Sequence, residues 1–124
     1  MGKLAYVFPG QGSQAVGMLA DLAGEHSLIE ATFEEASAAL GYDLWQLAQS
    51  GPEDKLNQTE FTQPALLAAS IAIWRVAQSL GAVKPDVVAG HSLGEYSALV
   101  AAGVVAFADA IKLVQQRGQF MQTA

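Results

Sequence analysis

The sequence predicts an α/β fold built on a parallel sheet. Two short apolar runs, Leu4-Ala5-Tyr6-Val7-Phe8 and Val87-Val88-Ala89, are each closed by glycine, the pattern of buried strands. The segments between and after them are helical in pattern and end at glycines, and strand, helices, strand, helix is the order of a parallel α/β sheet. Composition agrees: 52% of the 124 residues are hydrophobic, enough to bury a core and too many for a disordered tail.

The first strand, Leu4 to Phe8, stops at Pro9-Gly10 and runs into a glycine-rich loop from Gly10 to Gly17. Helical patterns follow over Met18 to Ala23 and over Leu28 to Leu40, the second with Ser27 as N-cap and Gly41 as its stop. Asp43 to Gln49 reads as a short helix. Ser50-Gly51-Pro52 breaks the chain, and the polar stretch through Thr59 reads as a surface connection. From Pro64 to Leu80 nearly every residue is apolar, the mark of a helix buried on all sides, with Thr62 as N-cap, Pro64 in the first turn and Gly81 as the stop. Pro85 introduces the second strand, Asp86 to Ala89, bounded by Gly90. Gly94 to Ala102 is a further apolar helix ended by Gly103, and Ala106 to Ala124 forms the last.

This accounting leaves a deficit. Two strands, of about five and four residues, fall short of the roughly four to six of an ordinary sheet and cannot cover helices this apolar. The helical pattern is still running at Gln122-Thr123-Ala124. The expectation is an N-terminal piece of a larger α/β protein.

Composition also excludes several functions. Without cysteine there is no disulfide framework, Cys-based zinc site or thiol nucleophile, and two histidines do not make a three-histidine metal site. A net charge of −6, from 12 acidic and 6 basic residues, argues against nucleic-acid binding, which depends on neutralising phosphates. No apolar run is long enough to span a membrane, and the first residues show neither a signal-peptide nor a myristoylation pattern, so the expected compartment is the cytoplasm.

Gly90-His91-Ser92-Leu93-Gly94 fits G-x-S-x-G and lies between a strand and a helix, where a nucleophile elbow must lie. Small residues two before and two after Ser92 permit the sharp turn, and the helix start aims N–H groups, that of Leu93 first, at a developing oxyanion. The serine needs a base. His91 is adjacent but points elsewhere in such an elbow, and His26 reads as a surface histidine. No histidine follows Ser92, so the base is expected from outside these residues. Gly10-Gln11-Gly12-Ser13-Gln14-Ala15 satisfies G-x-G-x-x-G/A at the carboxyl end of a strand, where ligands sit in open α/β sheets. A dinucleotide fingerprint would lead through one helix to a second strand ending in an acid, whereas Glu30, Glu34 and Glu35 fall in a helical pattern; the glycines better serve to bring the Gln11 N–H near a reacting carbonyl. Arg117 lies at the edge of the stripe Phe107, Ala110, Val114, Gly118, Met121 and needs an anion, either a protein carboxylate, the commoner partner, or a substrate carboxylate. Glu95, in a helix first turn, needs no chemical role, and Trp45, Trp74 and Tyr96 read as core or interface aromatics.

Three segments together, Phe8-Pro9-Gly10-Gln11-Gly12-Ser13-Gln14, Thr62-Gln63-Pro64-Ala65 and Gly90-His91-Ser92-Leu93-Gly94-Glu95-Tyr96-Ser97-Ala98-Leu99, resemble the malonyl-CoA:acyl carrier protein transacylase family of fatty-acid synthesis. The resemblance runs over all 124 residues, includes Arg117 and Met121 at family spacing, and is nearer the discrete bacterial enzymes than the acyltransferase domains of polyketide synthases. It implies that Ser92 carries the malonyl group from coenzyme A to the carrier's phosphopantetheine thiol. It implies also that Gln11 and Leu93 supply the oxyanion-hole N–H groups, that Arg117 binds the malonyl carboxylate, in place of an internal salt bridge, and that Gln63 lines the site. The implied partners are malonyl-CoA and acyl carrier protein, with no cofactor, metal, nucleic acid or membrane. The family's catalytic histidine and its ferredoxin-like small subdomain would lie beyond residue 124, leaving residues 1–124 as the N-terminal part of the large hydrolase-like subdomain. Such a piece is expected to fold poorly or self-associate by itself and to transfer slowly. Two rival readings are a serine esterase or thioesterase, which shares the elbow but has no need of Arg117, and an inactive fragment.

Overall fold

A computed structural model describes residues 5–8, 10, 14–81, 87–90 and 92–123. Among them two strands, β1 (Ala5–Phe8) and β2 (Val87–Gly90), pair in parallel with Ala5 opposite Val87 and Phe8 opposite Gly90. Between the strands run five helices, α1 (Ala20–Glu25), α2 (Ser27–Leu40), α3 (Leu44–Ser50), α4 (Glu53–Leu56) and α5 (Thr59–Ser79), and after β2 come α6 (Gly94–Ala101) and α7 (Phe107–Thr123). The α/β class and the small parallel sheet are as the sequence predicts. The route from β1 through five helices to β2 departs from a dinucleotide-binding βαβ unit, in which one helix would intervene.

The helix boundaries follow local chemistry. Gly41, Gly81 and Gly103 stop their helices at φ of 85°, 79° and 78°, left-handed geometry that glycine adopts without a Cβ penalty. Asp43 caps α3 by accepting from the Gln46 N–H at 3.0 Å. Ser27 is not the cap of α2: His26 holds the capping position in extended geometry, with no side-chain capping bond, and Ser27 is already helical. The polar connection before Thr59 is also more ordered than its composition suggests, since α4 forms there and drives Leu56 into the core at 0% exposure.

α5 begins a turn earlier than predicted. Gln58, not Thr62, occupies its N-cap, and Thr62 is buried within the helix with its hydroxyl shared between the carbonyls of Leu56 and Gln58. A threonine bonded back to earlier carbonyls and one capping a helix look alike in sequence. Pro64 consequently sits inside the helix rather than in its first turn.

The core is built around α5. Its Ala65, Leu67, Ala68 and Ile71 pack with Ile29 and Phe33 of α2, Leu44 of α3, and Ile111 and Val114 of α7. Trp45 meets Phe33 edge-on at 5.0 Å between ring centroids, and Trp74 meets Phe8 at 6.3 Å, so both tryptophans pack as aromatics against the interior. Arg75 of α5 pairs with Glu35 of α2 at 2.8 Å and lies over the Phe107 ring.

Neither α5 nor α6 is covered on all sides, which is the deficit that two strands predict. Ile73 of α5 and Leu99 of α6 remain exposed, as do Leu80 just after α5 and Val7 of β1. An apolar hollow of about 470 Å³ opens between β1 and α5, walled by Phe8, Met18, Leu66, Ile73 and Trp74. No helix of the described residues is long and apolar enough to cross a membrane.

Candidate active site

The site begins where β2 ends. A Cβ placed on Gly90 would fall 1.9 Å from the Gly94 carbonyl oxygen, so only glycine lets the strand end pass this close to the start of α6. Between them Ser92 takes φ of 56°, a left-handed conformation that costs an L-residue about 1–2 kcal/mol. The turn closes through the Glu95 N–H donating to the Ser92 carbonyl at 3.1 Å and the Tyr96 N–H donating to the Leu93 carbonyl at 3.0 Å. The Leu93 side chain is buried at 1% exposure and anchors the turn, while Ser92 stands exposed. A strained, non-glycine residue carrying a hydroxyl at a strand-to-helix turn is the geometry of a nucleophile elbow.

Arg117 reaches the elbow from α7. Its Nη2 donates to Ser92 Oγ at 2.9 Å and its Nη1 to Gln63 Oε1 at 2.8 Å, while its guanidinium lies over the Tyr96 ring at 5.8 Å. Among the described residues, then, no protein carboxylate of the kind favoured from the residue pattern is its partner. Among the described residues the ion pair is that of Arg75 and Glu35, and Arg117 is held by an amide, a hydroxyl and a ring, none of which neutralises it. A half-buried guanidinium with neutral partners retains its attraction for an anion.

Gln63 is fully buried, and its amide faces one way. Nε2 donates to Thr59 Oγ1 at 3.0 Å and to Met121 Sδ at 3.3 Å, which leaves Oε1 for Arg117. Because Arg117 has only donors, this orientation is the productive one.

Four of the five residues singled out from the sequence, Ser92, Leu93, Gln63 and Arg117, thus come together from α5, α7 and the turn before α6. Gln11, the fifth, lies outside the described residues, as do His91 and Asp86. His26 is half-buried between α1 and α2 and takes no part. The apolar hollow beside β1 contains none of the four. Sequence reasoning gave Tyr96 a packing role and did not single out Thr59. Tyr96 lies four residues after Ser92, one helical turn along, and Thr59 lies four before Gln63, so helical spacing was the available signal in both cases.

The comparisons with known proteins extend over this whole arrangement. Residues 5–124 match the family model for the acyl transferase domain. Over 124 residues the chain is 64% identical to a malonyl CoA-acyl carrier protein transacylase of Salmonella typhimurium, covering all of itself and 40% of that protein. Its fold matches an acyl carrier protein S-malonyltransferase from Vibrio cholerae with a TM-score of 0.96 at 68% identity, covering 98% of this chain and 40% of that one. It matches equally, at 0.96 and 63% identity with the same coverage, a malonyl-transacylase solved in complex with its type II PKS acyl-carrier protein. The chain spans about 40% of the length of the curated relatives it matches. Since the family match runs from β1 to the end of α7, and so includes the elbow, Gln63 and Arg117, the chain belongs to the acyl transferase domain family.

Proposed function

We propose that this chain carries the nucleophile and the acyl-carboxylate site of a malonyl-CoA:acyl carrier protein transacylase, as the N-terminal part of its large α/β subdomain. The observation that carries the reading is the 2.9 Å hydrogen bond from Arg117 Nη2 to Ser92 Oγ. In a malonyl ester of Ser92 the free carboxylate is only a methylene away from the ester carbonyl, within reach of a guanidinium that already touches the ester oxygen. An acetyl group would leave that cation without an anion, and the missing pair discriminates against it.

The reaction proceeds in two transfers. Ser92 Oγ attacks the malonyl thioester carbonyl while a base takes its proton; the family resemblance assigns that base to a histidine in the remainder that longer relatives possess. The Leu93 N–H, at the positive end of α6, and the Gln11 N–H stabilise the tetrahedral oxyanion. The C–S bond breaks, coenzyme A leaves as the thiol with the proton returned to it, and malonyl stays on Ser92 as an ester. The phosphopantetheine thiol of acyl carrier protein then attacks the ester through the same steps reversed, which restores the serine. Throughout, Arg117 holds the malonyl carboxylate, and Gln63 and Tyr96 hold Arg117.

The test is an intact-protein mass spectrum before and after brief exposure to malonyl-CoA, with Ser92→Ala as control. A malonyl adduct that depends on Ser92 and passes to a thiol acceptor supports the transacylase. Release of free malonate regardless of the acceptor would instead indicate a thioesterase, and absence of any adduct would leave the chemistry to the longer protein alone.

A further inference from the structure

At one point α5 and α7 approach more closely than side chains allow. Gly118 is buried in α7, and a Cβ there would lie 2.6 Å from Glu60 Cα, 2.8 Å from the Thr59 carbonyl oxygen and 3.0 Å from the Glu60 backbone nitrogen. All three are backbone atoms of the first turn of α5, so no side-chain rotation makes room for a methyl group. The helices themselves would have to separate. Glycine is a poor residue for a helix interior, and a helix that places one against a neighbouring backbone has a packing reason for it.

The same crossing is fastened on either side of Gly118. One turn later Gln122 Oε1 accepts from the Glu60 N–H at 3.3 Å, and Gln122 Nε2 lies 3.5 Å from the Glu60 carboxylate. One residue earlier, Arg117 makes its two hydrogen bonds to Gln63 and Ser92. Met121 touches the far side of the Gln63 amide. The height of α7 above α5 therefore sets where the guanidinium stands between Gln63 and Ser92.

We infer that Gly118 is a positioning residue for acyl-group selection: by admitting the α5 backbone it seats Arg117 for the carboxylate of the acyl group. This rests on the reading of Arg117 as the carboxylate's partner. A methyl group at position 118 displaces α7 and with it the guanidinium, while the elbow, built from β2 and α6, keeps its geometry. Misplacement of a positioning group by about 1 Å is enough to lower a rate up to about a hundredfold.

The experiment measures Ser92 acylation by malonyl-CoA and by acetyl-CoA in the full-length protein, for the wild type, Gly118→Ala and Gln122→Ala, with thermal unfolding of each. Gly118→Ala is expected to lose about tenfold or more of the malonyl rate while the acetyl rate stays within about twofold, so that the ratio falls. Gln122 is exposed, and its alanine variant, which removes a fastening without intruding on the crossing, is expected to lower the ratio in the same direction by about threefold. If Gly118→Ala fails to fold, Gln122→Ala decides. Equal loss of both rates, or an unchanged ratio, assigns Gly118 to folding alone and overturns the inference. A wild type that does not prefer malonyl over acetyl overturns the role of Arg117 itself, which separates that failure from this one.

Discussion

Gln63 holds Arg117 through its amide oxygen at 2.8 Å and leaves its charge uncancelled. The pairing is between a fully buried neutral side chain and a half-buried cation, and the neutrality of Gln63 is what keeps the cation available. A carboxylate in the same place would compete with the acyl carboxylate that we propose for Arg117.

Gln63→Glu is therefore expected to form an internal ion pair with Arg117 and to lower the rate of Ser92 malonylation by about tenfold or more. The preference for malonyl over acetyl should fall with it. Acylation rates with the two coenzyme A esters check this, and an unchanged preference would contradict it.

Arg117→Ala removes the proposed partner of the carboxylate and is expected to reduce malonylation by about a hundredfold, with a much smaller effect on acetylation. Arg117→Lys should recover only part of the loss. An ammonium is a point charge that cannot span Gln63 and Ser92 as the guanidinium fork does, and it stacks less well on Tyr96.

The left-handed backbone of Ser92 has a consequence that two variants isolate. Ser92→Ala and Ser92→Gly both lose the hydroxyl and its bond to Arg117, but only glycine relieves the φ of 56°. The glycine variant should be the more stable of the two by about 0.5–1 kcal/mol, the relief of strain less the greater entropy of glycine in the unfolded chain. Chemical denaturation of the pair measures the difference, and neither variant should form an adduct with malonyl-CoA.

Tyr42 bears on stability rather than chemistry. Its ring packs edge-on against Phe61 at 5.6 Å, and its buried hydroxyl has no hydrogen-bond partner among the described residues. Burial pushes the phenol well above the usual tyrosine range, and the Glu60 carboxylate adds to the shift. A group whose folded-state value is raised contributes stability that is complete below its unfolded value, about 10 for tyrosine, and is lost as pH rises beyond it. Tyr42→Phe should be neutral or stabilising by up to about 1 kcal/mol near neutral pH, since it removes an unsatisfied polar group. It should also flatten the loss of thermal stability as pH rises above about 10. An equally steep alkaline loss in the variant would count against this account.

Much of this was legible in the sequence because the signals were local. The strands announced themselves as apolar runs closed by glycine, the helix stops at Gly41, Gly81 and Gly103 were visible as residues suited to positive φ, and G-x-S-x-G placed the elbow. What stayed hidden depended on partners remote in sequence. Arg117 could be seen to need an anion, but its neutral restraint by Gln63 is a contact across 54 positions that no periodicity reports. Thr62 had the residue type of a cap and proved to be bonded back inside a longer helix. Gly118 appeared as one small member of a helical stripe, and only the backbone of α5 lying against it shows why a larger residue does not serve.

The pairing of Ala5 with Val87 ties the first strand of the chain to the strand that leads into the Ser92 turn. It closes a loop that contains α1 to α5, a contact whose entropic cost grows with the length of chain it spans. Ser92 follows directly on the later of the two strands. Whatever loosens β1, early in the sequence, is therefore expected to slacken the turn that shapes Ser92 as well.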